Sequence, residues 1–341
     1  MAGTVLVTGG TGYIAGEVID QLLEKGWCVR TTVRSKAKSE ARLRGRWPGA
    51  GDQLFVFEAD LMSDAGWDLA NEGCTHVCHV ASPFPVGVPK DENELIVPAR
   101  EGTLRALRFA QAAGVQHFVQ TSSSAAIAYG HPASKTAFDE ADWTNLSAPE
   151  VQPYVKSKTI AERAARDWVA ENAPEMAFCS VNPVAVLGPV VNDDLSASIE
   201  FVRRFLTGEI PAIPRVGFTV VDVRDVAALH VLALEASPDT IRNERFASAA
   251  EFMWMEDIAQ ALREHLGADA RKVPSRRMPT PVLKLMALFS RDIRQIAGEV
   301  GKRKVISGQH AKDKLGWTTR SPTETVLDTA RSLIAQGVVR L

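Results

Sequence analysis

The sequence predicts an α/β protein built on a doubly wound parallel sheet, with a smaller and mostly helical second domain. Short β-branched runs, such as TVLVT at residues 4–8 and QLFVFEAD at residues 53–60, alternate with longer amphipathic stretches. That alternation is typical of βαβ units. The first run is apolar without polar alternation, which indicates burial on both faces of a parallel sheet. Beyond Gly188, prolines interrupt mainly helical segments, and this change marks the second domain.

The predicted elements follow one another in a regular order. The first strand leads through a glycine loop into a helix that ends near residue 25, and CVRTTVR at residues 28–34 is the second strand. THVCHVAS and HFVQTSS are later strands on either side of a helix at residues 91–113, and MAFCSVNP follows a helix at residues 151–172. We expect residues 1–188 to form the first domain and residues 189–341 the second. The two are interleaved, because residues 218–248 read as a strand and helix that return to the main sheet.

Composition excludes several classes of protein. The 341 residues carry a formal net charge of −2, which gives no reason to expect a nucleic-acid partner. Four cysteines are too few for a disulfide framework. The start MAGTVLVTGG lacks the layout of a signal peptide, and the longest apolar stretch is broken by prolines and a glycine. We therefore expect a soluble, cytoplasmic protein without a membrane partner.

A glycine loop follows the first strand directly. In GGTGYIAG, Gly10, Gly12 and Ala15 satisfy the pattern GxGxxA at the opening of a helix. Glycines permit the tight turn and the close approach of a pyrophosphate to the backbone, and a small third residue lets helix and strand pack closely. A turn that binds nothing is the alternative. The position between the first strand and first helix favours a dinucleotide-binding domain over residues 1–188.

The end of the second strand indicates which dinucleotide is bound. An acidic residue about 20 positions after the glycines would bind the ribose of NAD, whereas arginine would pair with the 2′-phosphate of NADP. Here the strand ends in Arg34, no acid occurs between Glu24 and Glu40, and Lys38 adds positive charge. A solvated basic loop is the alternative. The sequence therefore favours NADP(H).

Tyr154 and Lys158 are the candidate catalytic pair. They are four residues apart in a helical stretch, so both side chains leave the same face. A tyrosine pKa near 10 is too high for proton transfer at neutral pH, and an ammonium about 4 Å away contributes roughly 4 kcal/mol towards lowering it. Ser123 ends the strand HFVQTSS and supplies a hydroxyl donor for a substrate oxygen. An ordinary helix face is the alternative for the pair, but the preceding glycine loop and serines favour catalysis.

The motifs of the chain resemble those of the extended short-chain dehydrogenase/reductase family, in particular its dihydroflavonol reductase, cinnamoyl-CoA reductase and microbial ketone reductase group. The resemblance runs nearly end to end through VTGGTGYIAG, TTVRS, ADL, HVASPFP, REGTLRAL, TSSSAA, YVKSK, NPVAVLGP, VDVRDVA and DKLGW. It implies an NADP(H)-dependent enzyme that interconverts a carbonyl and an alcohol. Cinnamoyl-CoA reductases carry NWYCYGK where this chain reads EVQPYVKSK, and Ala128 stands where plant dihydroflavonol reductases hold a flavonoid with a polar residue. Both departures argue against those two substrates.

The resemblance also implies a set of site residues. Ser123, Tyr154 and Lys158 take the catalytic positions. The cofactor would be held by Thr8, Gly9, Gly10, Thr11, Gly12, Tyr13, Ile14, Arg34, Lys38, Asp60, Leu61, Val80, Ala81, Ser82, Thr121, Tyr154, Lys158, Pro183, Val186 and Ser198. For Asp60 and Leu61, a helix cap followed by core is nearly as good an interpretation. Phe84, Pro85 and Leu187 suggest an apolar or aromatic substrate, and core packing explains them equally well.

Other kinds of function fit parts of the sequence less well. CTHVCHV has ligand types suited to zinc, but on a strand His79 points away from Cys74, His76 and Cys78, so structural burial is favoured and no metal is expected. A nucleotide-sugar epimerase or dehydratase shares the fold and the Tyr–Lys pair, but Arg34 argues against its usual NAD. A redox sensor that binds NADP without turnover would not need Ser123, Tyr154 and Lys158 together. The expected partner is a small carbonyl or alcohol, and the oligomeric state, monomer or homodimer, stays open.

Overall fold

The protein was analysed as a computed structural model that describes residues 3–83, 89, 91–191, 196–286, 288 and 298–340. Its strands are β1 (Thr4–Val7), β2 (Cys28–Val33), β3 (Leu54–Glu58), β4 (His76–His79), β5 (His117–Thr121), β6 (Ala137–Phe138), β7 (Ala177–Pro183), β8 (Ala185–Leu187), β9 (Gly217–Asp222), β10 (Glu244–Ser248), β11 (Glu251–Trp254) and β12 (Val305–Ile306). Seven of them form a parallel sheet in the order β10-β7-β5-β4-β1-β2-β3. The predicted doubly wound parallel sheet is confirmed.

The helices lie on both faces of this sheet and around its carboxyl edge. They are α1 (Tyr13–Glu24), α2 (Lys36–Arg46), α3 (Trp67–Asn71), α4 (Asn93–Ala112), α5 (Pro153–Asn172), α6 (Ala197–Thr207), α7 (Val223–Glu235), α8 (Pro238–Ile241), α9 (Met255–Leu266), α10 (Thr280–Met286), α11 (Gln309–Leu315) and α12 (Pro322–Ala335). Among the described residues, none of these helices combines the length and the apolar character needed to cross a bilayer.

The sheet is buried on both faces, as its sequence predicts. Val5 and Val7 of β1 pack into one core with α1 and α7, whereas Leu6 packs into a second core with α4 and α5. All three residues are fully buried. Alternate side chains of a strand leave opposite faces, so an uninterrupted apolar run is what a two-faced sheet requires.

The order in which strands are added to the sheet reverses at β1. After β1 the chain adds β2 and β3 on one side, and it then adds β4 on the other side of β1. Val5 pairs with Val29 of β2 on one side and with His76 of β4 on the other. The connections after these two strands turn to opposite sides, so a crevice opens at their carboxyl ends. Ligands of doubly wound folds bind at such a switch point.

A second unit lies beyond this edge. A three-stranded sheet, in the order β11-β9-β8, packs with α6, α9 and α12 around a core that includes Phe205, Ile258, Leu262 and Val326. Sheet content here exceeds the mostly helical pattern expected for this region. A two-stranded sheet of β6 and β12 adds a further link between distant parts of the chain.

Residues 218–248 are shared between the two units. The expected returning strand, β9, pairs with β8 and β11 in the small sheet, not with the main sheet. The helix α7 packs against α1 and the main sheet, and β10 pairs with β7 at the edge of that sheet. A strand signal in the sequence carries no information on its pairing partner, which explains the difference for β9.

Candidate active site

The glycine loop closes tightly between β1 and α1. Gly9 has φ +74°, a left-handed conformation that favours glycine, and a Cβ there would lie 3.1 Å from the Cα of Ala81. The amide of Gly9 donates to Thr32 Oγ1 at 3.1 Å, and that of Gly10 to the Thr32 carbonyl at 3.0 Å. The loop is therefore fixed to β2.

The amino terminus of α1 suits a phosphate group. Gly12 is the N-cap residue, and no side chain caps the helix. The first amides of a helix need acceptors and carry a partial positive charge, so an uncapped, glycine-lined end fits a pyrophosphate. The residues present thus fit the dinucleotide that the loop predicts.

Several predicted cofactor residues on this loop use their side chains for packing. Thr8 is buried, and its hydroxyl accepts a hydrogen bond from the Ala81 amide at 2.9 Å while lying 3.0 Å from His79 Nδ1. Ile14 packs against the core under α1, and Tyr13 packs against the core of the second unit. Burial, followed by the charge of Asp222, raises the pKa of Tyr13 well above its usual value. The side chains of Thr8 and Ile14 are thus taken up by packing and hydrogen bonding, whereas the Tyr13 hydroxyl has no partner among the described residues.

Arg34 lies directly after β2 with its side chain exposed. Within the described part of the chain, neither Arg34 nor Lys38 of α2 forms an ion pair or a side-chain hydrogen bond. One acid comes close that the sequence did not indicate: Glu58, at the end of β3, accepts a hydrogen bond from the Lys36 amide at 2.7 Å. This carboxylate satisfies the start of α2, and the Arg34 guanidinium stays available for an anion.

The segment after β3 holds a turn and a helix contact. Asp60 Oδ1 accepts from the Met62 amide at 2.7 Å, and the Asp60 carbonyl accepts from Trp67 Nε1 at 2.9 Å. The side chain of Leu61 packs so closely on Gly102 of α4 that a Cβ there would lie 2.9 Å away. Both residues thus have structural partners, in line with the alternative left open for them.

Ser123, Tyr154 and Lys158 come together at the carboxyl edge of the sheet. Tyr154 and Lys158 lie one turn apart in the first half of α5, and the Lys158 ammonium is 5.9 Å from the centre of the Tyr154 ring. It donates to Ser82 Oγ, after β4, at 2.9 Å. Ser123 follows β5, and its side chain hydrogen-bonds Tyr154 and accepts from the Ala125 amide at 3.1 Å.

The pKa values at this cluster are set mainly by burial. Burial raises the pKa of Tyr154, and the hydrogen bond from Ser123 opposes that increase only in part. Burial lowers the pKa of Lys158 to about 8. The expected lowering of the tyrosine pKa by Lys158 is therefore not seen in the protein alone. Burial dominates the pKa of Tyr154, and the Lys158 ammonium donates to Ser82 Oγ while lying 5.9 Å from the centre of the Tyr154 ring.

His79 was not singled out as a site residue but lies beneath this cluster. Its ring is buried, its Nδ1 meets Thr8, and its Nε2 has no partner among the described residues. Burial and the nearby Lys158 charge lower its pKa to about 3, so the ring is neutral. Cys74 and Cys78 of the same stretch are buried, and no cluster of three or more metal-ligating side chains forms in the described ranges.

The remaining predicted residues lie around the crevice with mixed roles. Val80 and Ala81 continue from β4 beside the glycine loop, where a Cβ on Gly9 would meet Ala81. The Thr121 hydroxyl lies 2.7 Å from Nε2 of His230 on α7, a structural contact. Leu187 is fully buried in the second core, so packing explains it better than substrate contact does. Phe84 and Pro85 fall outside the described residues. The other positions are Pro183, which ends β7, Val186 in β8, and Ser198 near the start of α6.

The seven-stranded sheet and the glycine loop at its switch point define a Rossmann-type dinucleotide-binding protein. A family model described as the NAD dependent epimerase/dehydratase family matches residues 5–246. The chain therefore belongs to this family of extended short-chain dehydrogenases, and the resemblance seen in the motifs is confirmed.

Individual relatives are similar along most of their length. A cinnamoyl-CoA reductase of Medicago truncatula is 34% identical over 271 residues, which cover 77% of this chain and 81% of the relative. A ketoreductase of Aspergillus niger is 34% identical over 301 residues, 82% of this chain and 87% of the relative. The crystal structure of the yeast methylglyoxal/isovaleraldehyde reductase Gre2 with NADPH superimposes with a TM-score of 0.80 at 25% identity, covering 98% of this chain and all of that chain.

Proposed function

We propose that the protein is an NADPH-dependent reductase that converts an apolar ketone or aldehyde to its alcohol, and that the same site runs the reverse oxidation. The observation that carries this proposal is the convergence of Ser123, Tyr154 and Lys158 near the glycine loop, since Lys158 donates to Ser82 and the adjacent Ala81 lies against Gly9. Binding of a dinucleotide alone would not require a tyrosine and a serine hydroxyl in mutual contact. The relatives named above, reductases of carbonyl compounds by their names, support the same reaction class.

Each side chain of the cluster has a distinct task in this proposal. The Ser123 hydroxyl donates a hydrogen bond to the carbonyl oxygen, and the Tyr154 hydroxyl donates its proton to that oxygen. Bound NADPH supplies the hydride that the carbonyl carbon receives. The Lys158 ammonium stabilises the phenolate that Tyr154 becomes, and it would bind the hydroxyls of the nicotinamide ribose. Solvent then returns a proton to Tyr154.

Arg34 supports NADPH as the reductant. Its exposed guanidinium has no partner in the described structure, and it follows β2, where the adenosine ribose of a dinucleotide passes. A planar guanidinium and a 2′-phosphate form a charge-assisted pair that the ribose hydroxyls of NAD cannot form. The fit between residues and cofactor is therefore better for NADP(H) than for NAD(H).

The surroundings of Tyr154 support an apolar substrate. Its ring packs with Tyr129 and Ala148 against a small apolar cluster of Ala125, Val151 and Val155. Apolar walls with a few convergent hydroxyls are typical of sites for small carbonyl compounds. Ala128, next to Tyr129 in the chain, is buried in the core and offers no polar group to hold a flavonoid.

The first test is consumption of NADPH, with NADH in parallel, across aryl ketones, α-keto esters, aldehydes and a flavanonol. We expect turnover of at least one apolar carbonyl with NADPH preferred. Tyr154→Phe should bind NADPH normally and lose roughly 10²- to 10⁴-fold in kcat, since it removes the proton donor. NADPH binding without turnover of any carbonyl would refute the proposal and favour a sugar-nucleotide substrate or a sensor.

A further inference from the structure

Glu162 is a buried carboxylate two turns after Tyr154 on α5. Its side chain is fully buried, and the spacing of four residues puts Tyr154, Lys158 and Glu162 along one face of the helix. Oε2 accepts from Ser122 Oγ at 2.6 Å and from Asn182 Nδ2 at 2.7 Å. Oε1 accepts from Arg245 Nε at 2.7 Å and from Ser180 Oγ at 2.8 Å.

These partners reach the segment that carries Ser123. The Asn182 amide that binds Glu162 also donates to the carbonyl of Ser123 at 3.2 Å. Arg245 donates to the carbonyl of Ala126 at 3.4 Å and to those of Glu140 and Asp142 at 2.7 and 2.6 Å. The carboxylate thus connects α5, which carries Tyr154, to both ends of the turn after β5.

The charge of Glu162 is well compensated. Burial opposes its ionisation, but Arg245 and Arg166 outweigh burial and hold the pKa of Glu162 below its usual value. Buried ion pairs contribute little net stability compared with apolar packing, because removing the charges from water is unfavourable. A need for fixed geometry explains such a pair better than a gain in stability does. The geometry fixed here is that of Ser123 relative to α5.

We propose that Glu162 is a positioning residue, which holds the turn of Ser123 against α5 so that the Ser123 hydroxyl stays in contact with Tyr154. This inference rests on the proposed function of the same site. The GxGxxA loop and the Tyr–Lys spacing do not by themselves imply this positioning role. The role is inferred from the contacts between Glu162, Asn182 and the Ser123 backbone.

The main test is Glu162→Gln. The new glutamine has one NH2 group, which must point either at Arg245 or at Asn182. Arg245 cannot accept a hydrogen bond. Asn182 can accept one if its own amide rotates, but this rotation breaks the bond from Asn182 to Ser123. We expect kcat to fall roughly 10- to 100-fold, as misplacement of a reacting group by about 1 Å does. The KM for NADPH should stay within about twofold, because Glu162 lies behind the serine turn and not at the glycine loop.

The pH profile separates positioning from general damage. The hydrogen bond from Ser123 lowers the pKa of Tyr154, so loosening it should move the rising limb of alcohol oxidation to higher pH. Lys158 and Tyr129, which lie beside Tyr154 in the described part of the chain and also titrate, are unchanged in this variant. An unshifted profile with full kcat would overturn the inference.

Arg166→Met is the matched control. Arg166 lies 3.4 Å from Glu162 Oε1, and its other bonds go to Ser180 Oγ and to the carbonyls of Asn243 and Glu244, none of which belongs to the turn of Ser123. It should lower the melting temperature and leave kcat and the pH profile unchanged at 25 °C. Equal losses of kcat in Arg166→Met and Glu162→Gln would mean a general stability effect and would refute positioning.

Asn182→Ala keeps the inference testable if Glu162→Gln does not fold. It removes the link to Ser123 without changing a charge, and it should reproduce the loss of kcat and the shift in the profile. Combined with Glu162→Gln, it should be no worse than the more severe single variant, because both act through one contact. Additive losses would contradict a shared path.

A readout independent of turnover separates this inference from the proposed function. The chain has three tyrosines, so labelling with 3-fluorotyrosine gives three ¹⁹F resonances, and Tyr154→Phe identifies one of them. That resonance should shift in Glu162→Gln and Asn182→Ala but not in Arg166→Met. Such a shift without carbonyl turnover by the wild type would reject the proposed reaction and retain the positioning role, whereas an unmoved resonance would reject the positioning role.

Discussion

Lys158 places a cation where burial disfavours it. Its pKa falls to about 8 from 10.5, and Ser82 is the hydroxyl that accepts its hydrogen bond. The unfolded chain binds more protons than the folded one between these two values, so unfolding becomes harder as the pH rises from 8 to 10.5. Below pH 8 the buried charge lowers stability by its full amount. In the proposed reaction this loss of stability accompanies the placement of an ammonium beside Tyr154.

Lys158→Met should therefore abolish most turnover and stabilise the fold at the same time. At pH 7 we expect the free energy of unfolding to rise by on the order of 1 to 3 kcal/mol. Urea denaturation at pH 7 and pH 9.5 measures this, and the gain should shrink at the higher pH. Lys156→Met, which removes only a surface pair with Glu92 at 2.7 Å, is the control and should change stability by less than about 1 kcal/mol. A destabilised Lys158→Met variant would contradict the argument.

Arg34→Glu tests the choice of cofactor. The carboxylate repels a 2′-phosphate and can accept from ribose hydroxyls, so NADPH should bind roughly 10- to 100-fold more weakly while NADH improves. Titration of protein fluorescence with each cofactor gives the two dissociation constants. Arg42→Glu, an exposed change of the same charge on α2, separates a local pair from a general electrostatic effect. An unaltered preference for NADPH in Arg34→Glu would exclude the 2′-phosphate contact.

At the scale of elements, the turn between β1 and α1 is the most constrained part of the site. A Cβ at Gly10 would overlap Thr31 Oγ1, which is itself held by the Val7 carbonyl at 2.7 Å. Since β2 cannot retreat without breaking its ladder, the loop itself would have to move at the point where the pyrophosphate approaches.

Gly10→Ala should weaken NADPH binding by roughly tenfold or more and lower the melting temperature. Thr31→Ala in the same chain removes the overlapping atoms and should restore part of both losses. Gly45→Ala is the control, because it lies in α2 with no neighbour within 4 Å of a new Cβ. It should be neutral or slightly stabilising. Isothermal titration calorimetry measures the dissociation constant of NADPH for each variant. Unchanged NADPH binding by Gly10→Ala would disprove the close approach of the pyrophosphate to this loop.

The elements that the sequence predicts well are those with local signals. The helices expected at residues 91–113 and 151–172 are found as Asn93–Ala112 and Pro153–Asn172, because amphipathic periodicity and a proline at the first helical position are local. The pairing of β9 and the Glu162 network have no such signal. Apart from Arg166, one turn further along α5, the partners of Glu162 lie 18 to 83 residues away, and nothing in their spacing predicts that they meet. The position of Glu162 on the face of Tyr154 and Lys158 was the only available clue.

At the scale of the whole molecule, stability depends on histidines that are buried in neutral form. Burial lowers the pKa of His230 to about 4, and its two ring nitrogens are held by Thr121 and the Val226 carbonyl. His76, beside Trp27 and stacked on His117, falls to about 4, and His79 to about 3. In the unfolded chain each titrates near 6.5. All three couple folding to pH in the same direction.

The protein should therefore lose stability steeply in weak acid. Between pH 6.5 and about 4 these histidines bind protons in the unfolded state but stay neutral in the folded state. The free energy of unfolding therefore has its full value above pH 6.5 and decreases as the pH falls. These three histidines together contribute up to about 4 kcal/mol per pH unit to this loss. His117, whose pKa burial also lowers, adds to the loss, whereas Glu17, Glu140 and Asp225, whose pKa values burial raises, oppose it in part. Urea denaturation at pH 7.5, 6.0 and 5.0 measures the slope. His230→Gln should reduce it by up to about 1.4 kcal/mol per pH unit, whatever its effect on absolute stability, whereas His265→Gln, exposed at the end of α9, should leave it unchanged. A slope that is flat down to pH 5 would mean that these rings bind protons in the folded protein, and that the core around β4 and α7 opens to water.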